Sequence, residues 1–152
     1  MMPTIRPART EDLATLLQFE QGVVEAERPL DPCIKTSGVE YYDIQELIDD
    51  PECLLLVAEV DKKLVASGYG RIKPAKSYLK HTAYLYLGFM YVDPDYRGQG
   101  INQSIIQGLM TWGKEQGIHE CRLEVYQDNA SAIRAYAKLG FTPHMLEMRL
   151  EV

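Results

Sequence analysis

The sequence predicts an α/β domain, a mixed sheet of about six or seven strands with about four helices on its faces. Three observations carry this. Cys53–Val60 and Leu64–Ile72 are strand-like runs joined by Asp61-Lys62-Lys63, the pattern of a hairpin. A third apolar run, Ala83–Val92, is stopped by Pro94 and Asp95; after Gly98 and Gly100, Ile101, Ile105 and Leu109 recur at helical spacing with Ile106 and Met110 beside them. Strand and helix patterns then alternate to the C-terminus, so crossovers must sit around the middle of the sheet.

Taken in order, Thr4–Pro7 suits an edge strand, where its flanking prolines are tolerated. Thr10 is placed to cap a helix, with Glu11 and Asp12 complementing the dipole of its first turn. Leu13, Leu16, Leu17, Val23 and Val24 extend that helix to about Glu25. Residues 27–38, with Pro29, Pro32 and Gly38, read as loop, and Tyr41–Asp49 as a short second helix ended by Asp50-Pro51. After the hairpin, Lys73, Lys76 and Lys80 make a basic connection that reads as a solvated loop. The helix from Ile101 runs to about Gln116, with Gly117 as its stop; Trp112 on it reads as core or interface. Cys121–Tyr126 alternates as a strand that turns Cys121, Leu123 and Val125 one way and Glu124 the other. Asp128 or Asn129 caps a last helix, lined by Ala132, Ile133, Tyr136 and Leu139 and closed by Gly140-Phe141. Residues 141–152 supply one or two terminal strands broken by Pro143. No repeat, low-complexity segment or linker interrupts the chain, so residues 1–152 read as a single domain.

The 152 residues suffice to bury a real core, and 46% hydrophobic with 25% charged residues is ordinary for a globular protein. No apolar run approaches the roughly 18 residues of a membrane span, and no signal-peptide h-region follows Met1; a cytoplasmic protein is expected. A formal charge of −6 disfavours nucleic acid and suits a cationic partner such as an amine. Cys33, Cys53 and Cys121 are odd in number and widely spaced, as reduced thiols would be. His81, His119 and His144 have no metal-ligand spacing, so no metal site is expected.

The stretch Met90–Asn102 carries the chemistry. A glycine-rich loop of free N–H groups at a helix N-terminus attracts anions, above all phosphate, and Arg97 adds a full positive charge. An ordinary strand-to-helix turn would use the same glycines for geometry alone. A Walker loop needs Gly-Lys-Ser/Thr where this chain has Gly100-Ile101-Asn102, and a dinucleotide fingerprint needs a third glycine where Gln103 stands, although Glu120 lies at the acidic position. After Val92-Asp93-Pro94, the run Arg97-Gly98-Gln99-Gly100-Ile101 resembles the acyl-coenzyme A pyrophosphate loop of the GNAT superfamily of N-acetyltransferases. Asn102 departs from the small residue usual there. Leu123-Glu124-Val125, Asn129 to Ala132, Tyr136 and Gly140-Phe141 resemble that superfamily's next conserved segment, in the same order along the chain.

The resemblance implies a mostly antiparallel GNAT sheet with a cleft at its central strands, and acetyl-coenzyme A as cosubstrate. It implies coenzyme contacts from Met90, Tyr91, Val92, Arg97, Gly98, Gln99, Gly100, Ile101, Asn102, Gln103, Asn129 and Tyr136. It also implies direct acetyl transfer to a primary amine of a small molecule, a lysine or a peptide N-terminus. A homodimer is a family expectation; nucleic acid, membrane and metal are not expected partners. The chemistry itself needs a base, because an alkyl ammonium of pKa about 10.4 costs about 4–5 kcal/mol to neutralise near pH 7. Glu124 points away from the apolar face and resembles the base position of the ribosomal-protein N-terminal acetyltransferases, though a surface carboxylate would sit there equally well. The leaving thiolate, of pKa about 8.5, needs an acid, and Tyr136 matches the family's general-acid tyrosine, with a core aromatic as the other reading. The thioester's developing oxyanion needs an N–H donor, which the resemblance places on the main chain of the central strand, near Met90 to Val92. Asn129 suits a helix cap and a coenzyme contact alike. Glu25, Glu27, Asp31 and Glu40 form an acidic wall for the acceptor or a solvated acidic loop. Two rival readings are an inert acyl-coenzyme A-binding module and a nucleotide-binding oxidoreductase.

Overall fold

The computed structural model of the protein describes residues 2–152. Its elements are β1 (Thr4–Pro7), α1 (Leu13–Glu27), α2 (Ile44–Asp49), β2 (Cys53–Val60), β3 (Lys63–Pro74), β4 (Ala83–Val92), α3 (Ile101–Glu115), β5 (Cys121–Arg122) and α4 (Ala130–Lys138). The strands lie in the order β1-β2-β3-β4-β5, antiparallel except for β4–β5, which pair in parallel across the α3 crossover. The mixed, mostly antiparallel sheet and its four α-helices are as the sequence predicts; the strand number is not. The sheet has five strands, because residues 141–152 form no strand and β5 stops at Arg122 instead of running to Tyr126. Both segments carry strand-like alternation, but neither has a neighbour to complete a ladder, and alternation alone makes no strand.

Both faces of the sheet are covered, so β2 reads as an almost unbroken apolar run. On one face Leu56, Ala58, Leu85 and Leu87 pack with Ile101, Ile105, Ile106 and Leu109 of α3. On the other Leu55, Val57, Tyr69 and Phe89 pack with Leu16 and Phe19 of α1 and Ile44 and Leu47 of α2. The β2–β3 turn takes left-handed backbone at Asp61 (φ 50°) and Lys62 (φ 66°), the two-residue hairpin form that matches strand twist.

Local caps differ from expectation in instructive ways. Thr10 lies inside a 3-10 turn, Thr10–Asp12, and does not cap α1. Asp12 occupies the N-cap position of α1 but makes no side-chain bond to the helix; its carboxylate instead accepts the Arg9 N–H at 2.8 Å while the Arg6 guanidinium clamps its two oxygens at 2.8 and 3.0 Å. The buried stripe of α1 is Leu16, Phe19, Glu20 and Val24, and Leu17 faces out. Helix α2 starts late because Asp43 caps it, accepting the Glu46 N–H at 3.2 Å. The preceding Tyr41 and Tyr42 N–H groups both donate to Glu20 Oε2 at 2.8 Å. Of the two candidate caps for α4, Asn129 acts, accepting from the Ala132 N–H at 3.3 Å, and Gly140 ends that helix with φ 101°. Gly117 (φ 80°) stops α3 as expected, and Trp112 packs on the core below it.

One irregularity sets the direction of β4. Tyr69 pairs with Gly88 but Ser67 with Tyr91, so β4 carries one residue more than β3 over that span, a β-bulge. Gly88 turns its bare face to the Tyr69 ring, and Phe89 packs on that same face with φ 55°, so two consecutive positions point one way. The parity of the strand then reverses: Leu85 and Leu87 face α3, and so do Met90 and Val92. The fully buried Ser67 hydroxyl donates to the Phe89 carbonyl at 3.0 Å, satisfying an oxygen that the ladder has dropped. Ser67→Ala orphans that carbonyl and is expected to lower the unfolding free energy by about 1–3 kcal/mol in urea titration. A variant as stable as the parent would show that the bulge does not depend on this bond.

Candidate active site

β4 and β5 are laddered only at Leu85↔Cys121 and Tyr86↔Arg122, and from Leu87, just before the bulge, the two strands are no longer paired. The edge of β4 that faces the gap is therefore bare. The Asp93 N–H donates to Val65 O on β3 at 2.7 Å. Because amide directions alternate along a strand, the N–H groups of Val92 and Met90 point to the opposite, open edge. The Arg97 Nε donates there, to Val92 O at 3.0 Å, so this guanidinium is anchored to the end of β4.

The glycine loop comes next along the chain. Asp93 caps a turn at Pro94–Tyr96 by accepting the Asp95 N–H at 2.9 Å. Gly98 and Gly100 then adopt φ 77° and φ 79°, conformations that cost other residues dearly, and an added Cβ at either would meet nothing within 4 Å. Their surroundings are open, with room for a ligand against the backbone. Among the described residues, no N–H of residues 98–103 donates to a protein acceptor; the first amide satisfied within α3 is Ser104, to Gly100 O at 3.1 Å. Six successive donors at a helix N-terminus make an anion cradle. Ile101 and Ile105, buried against the sheet, hold α3 and hence the cradle in place. Asn102, the residue that departs from the family pattern, turns its Oδ1 inward without a partner and leaves its own N–H in the row of free donors.

The remaining candidates divide between the two faces of the sheet. Tyr136 of α4 packs with Met90, Val92, Tyr96 and Leu123 around the α3-side core and lies edge-to-face on Phe141 at 6.0 Å. Its hydroxyl has no hydrogen-bond partner among the described residues, and burial followed by the charge of Glu27 raises the phenol above 10.0. Glu124 faces the other way. Its Oε1 accepts the Tyr86 hydroxyl at 2.7 Å, and Tyr86 belongs to the α1/α2-side core. Burial and then this bond raise the Tyr86 phenol, so it remains a donor that orients the carboxylate. Asn129 spends its side-chain oxygen on the α4 cap and its neighbour Ser131. No group of three or more His, Cys, Asp or Glu gathers as a metal set among the described residues.

Comparison with known proteins decides the family. The model of the acetyltransferase (GNAT) family matches residues 20–141. The chain belongs to the GNAT acetyltransferase family. It is similar to an aminoglycoside N(6')-acetyltransferase type 1 of Stenotrophomonas maltophilia, at 24% identity over 91% of this chain and 86% of that protein. Among solved structures, a tetramutant of the BH1408 protein from Bacillus halodurans superposes with TM-score 0.87 at 23% identity, covering 98% of this chain and 99% of the other. A predicted acetyltransferase with acetyl-CoA from Clostridium acetobutylicum superposes with TM-score 0.75 at 20% identity, covering 99% and 96%. At these identities the structural likeness is one of fold.

In this GNAT chain the α1 face of the gap is acidic and aromatic. Asp31 accepts the Tyr126 hydroxyl at 2.8 Å, and that bond, with the Cys33 N–H, lowers the Asp31 carboxyl. Burial, then Asp31, pushes the Tyr126 phenol up to about 12. The charge of Glu27 reaches Tyr41, Tyr42, Tyr126 and Tyr136 together. Of the four acids expected in this wall, Glu27 and Asp31 face it; Glu25 pairs with Arg28 at 2.9 Å instead, and Glu40 is exposed. Sequence reasoning missed Tyr86, Tyr126, Tyr41 and Tyr42 as site residues. The signal was in the composition, where 10 Tyr against 3 Phe marks aromatics chosen for a polar tip.

Burial and Glu27 disfavour the Tyr136 phenolate, so this group stays protonated through neutral pH and beyond its ordinary 10.0. An ultraviolet difference titration of the protein against Tyr136→Phe is expected to show ionisation above that value, moving down in Glu27→Gln. Ionisation at or below 10 would contradict the placement of the ring.

Proposed function

We propose that this chain is an N-acetyltransferase that passes an acetyl group from acetyl-coenzyme A directly to the primary amine of a small acceptor bearing more than one amine. The observation that carries the reading is the row of free N–H groups at residues 98–103 beside the bare edge of β4. The residues fit the coenzyme: the cradle suits its pyrophosphate, with contacts from Arg97, Gly98, Gln99, Gly100, Ile101, Asn102, Gln103 and the free side-chain nitrogen of Asn129. Met90, Tyr91 and Val92 flank the pantetheine arm, and a Met90 or Val92 N–H donates to the thioester oxygen as it gains charge.

The two faces then divide the proton work. Glu124, oriented by Tyr86, takes a proton from the acceptor ammonium. The freed amine forms the new C–N bond to the acetyl carbon and releases its second proton to solvent, the C–S bond breaks, and Tyr136 passes its proton to the departing sulfur; Glu124 returns its own proton to solvent. Solvent restores the phenol. The acidic, tyrosine-rich α1 face with Glu27 and Asp31 supports a multiply cationic acceptor, and the Stenotrophomonas maltophilia relative is named for aminoglycosides.

Release of free coenzyme A over an amine panel tests the reading, with polyamines and aminosugars expected to lead and neutral alcohols to be inert. Tyr136→Phe should lower kcat by about 10²-fold while KM for acetyl-coenzyme A stays within about twofold. Glu124→Gln should depress the rate most on the acid side of the profile, where the amine is protonated. Parent-like turnover in Tyr136→Phe would remove the acid role, and an unchanged pH profile in Glu124→Gln would remove the base.

A further inference from the structure

Helix α1 buries one carboxylate among apolar neighbours. Glu20 is 1% exposed and sits on the stripe of Leu16, Phe19 and Val24. An aliphatic side chain would fill that place at no electrostatic cost, whereas a carboxylate has to be compensated. Its compensation is the pair of N–H groups of Tyr41 and Tyr42, which both donate to Oε2 at 2.8 Å. These residues lie in the irregular segment before α2, whose amides have neither ladder nor helix to bond. The neighbouring Gln21 ties the same segment a second time, its Nε2 donating to Val39 O at 2.9 Å. A charged acceptor makes the shorter and stronger bond, so α1 fixes the path of residues 39–42 closely.

The two rings placed in this way serve different parts of the site. Tyr41 belongs to the acidic face, where burial and then Glu27 raise its phenol. Tyr42 belongs to the sheet. It stacks on Phe89, the bulge residue, with ring centroids 4.6 Å apart, and meets Tyr69 edge-on at 6.0 Å. Tyr69 in turn leans on Tyr86 at 6.3 Å, and the Tyr86 hydroxyl donates to Glu124 at 2.7 Å. A continuous row of rings therefore runs from the Glu20 carboxylate to the Glu124 carboxylate. A branch at Phe89 reaches the stretch of β4 whose N–H groups face the gap. Close-packed aromatics constrain one another's tilt, so a displacement at Tyr42 is passed along both routes.

We propose that Glu20 is a positioning residue for acetyl transfer. By holding the Tyr42 main chain it sets the aim of Glu124 through Tyr69 and Tyr86, and the donors of β4 through Phe89. It touches no substrate in this role. The proposal rests on the acetyltransferase reading and adds to it a residue buried inside α1.

Glu20→Gln tests the role, because it keeps an oxygen for the two N–H groups and removes the charge. With the fastest polyamine or aminosugar of the panel, kcat/KM is expected to fall about tenfold or more, while the Kd of coenzyme A by calorimetry stays within about twofold. A purely structural role would lower Tm and leave kcat/KM unmoved. Tyr42→Leu removes the first ring of the row, so the double variant should lose no more than the worse single variant. Amide spectra of labelled protein supply a readout that needs no turnover. Glu20→Gln is expected to shift the resonances of Tyr41, Tyr42, Phe89 and Met90 and to leave those of residues 98–103 in place. A parent inert towards every amine would refute the acetyltransferase reading, and the spectra would still decide whether Glu20 sets β4. Additive losses, an unmoved kcat/KM in an active protein, or unshifted Phe89 and Met90 amides would each overturn the proposal.

Discussion

An extra residue at Phe89 makes β4 turn two consecutive positions, Gly88 and Phe89, to the same face, and much of the site's geometry depends on that constraint. β4 ladders with β5 on one side and β3 on the other at Leu85 and Tyr86; from Leu87 on, through the bulge and past it, only β3 remains paired. The strand ends therefore open like a V, and a stretch of β4 main chain is left with donors and acceptors facing a gap. Such groups are costly to leave dry, so the gap is a place for polar ligand or water. Ser67 and Gly88 stabilise the irregularity from opposite sides, one by a buried hydrogen bond and the other by leaving room for the Tyr69 ring.

The gap also joins two electrostatic environments that the sheet would otherwise separate. On the α3 face the donors of residues 98–103 and the end of α3 favour negative charge. On the α1 face Glu27, Asp31 and Glu124 favour positive charge, and tyrosine hydroxyls tie two of these acids down. An anionic cosubstrate and a cationic acceptor can thus approach from opposite sides and meet at the open edge of β4. Buried Glu20 belongs to the same design, because it pins the Tyr41 and Tyr42 backbone and so fixes the wall on which an acceptor would rest.

Local chemistry is legible in the sequence, and long-range pairing is less so. The loop of Gly98 and Gly100, the start of α3 and its stop at Gly117 are written in residues a few positions apart, and the structure has them in those places. The cap of α1 is misplaced by sequence reasoning because Arg6, outside the helix, claims Asp12 and reshapes the first turn. The bulge leaves only a faint trace, a glycine inside an apolar strand, since its cause lies in the pairing with β3. Glu20 sits in plain view on the buried stripe of α1, but its partners come from beyond the loop, at Tyr41 and Tyr42. Alternation predicts the terminal strands, and alternation is present in 146–152; what the fold does not supply is a neighbouring strand to pair with them.

The central claim is that the backbone between Gly98 and Gln103 binds the diphosphate of a coenzyme. Amide resonances of an isotopically labelled protein titrated with coenzyme A measure this most directly. The account predicts saturable downfield shifts concentrated at the N–H groups of residues 98–103, reduced when a bulky side chain replaces Gly100. Shifts that leave these amides untouched while others saturate would contradict it.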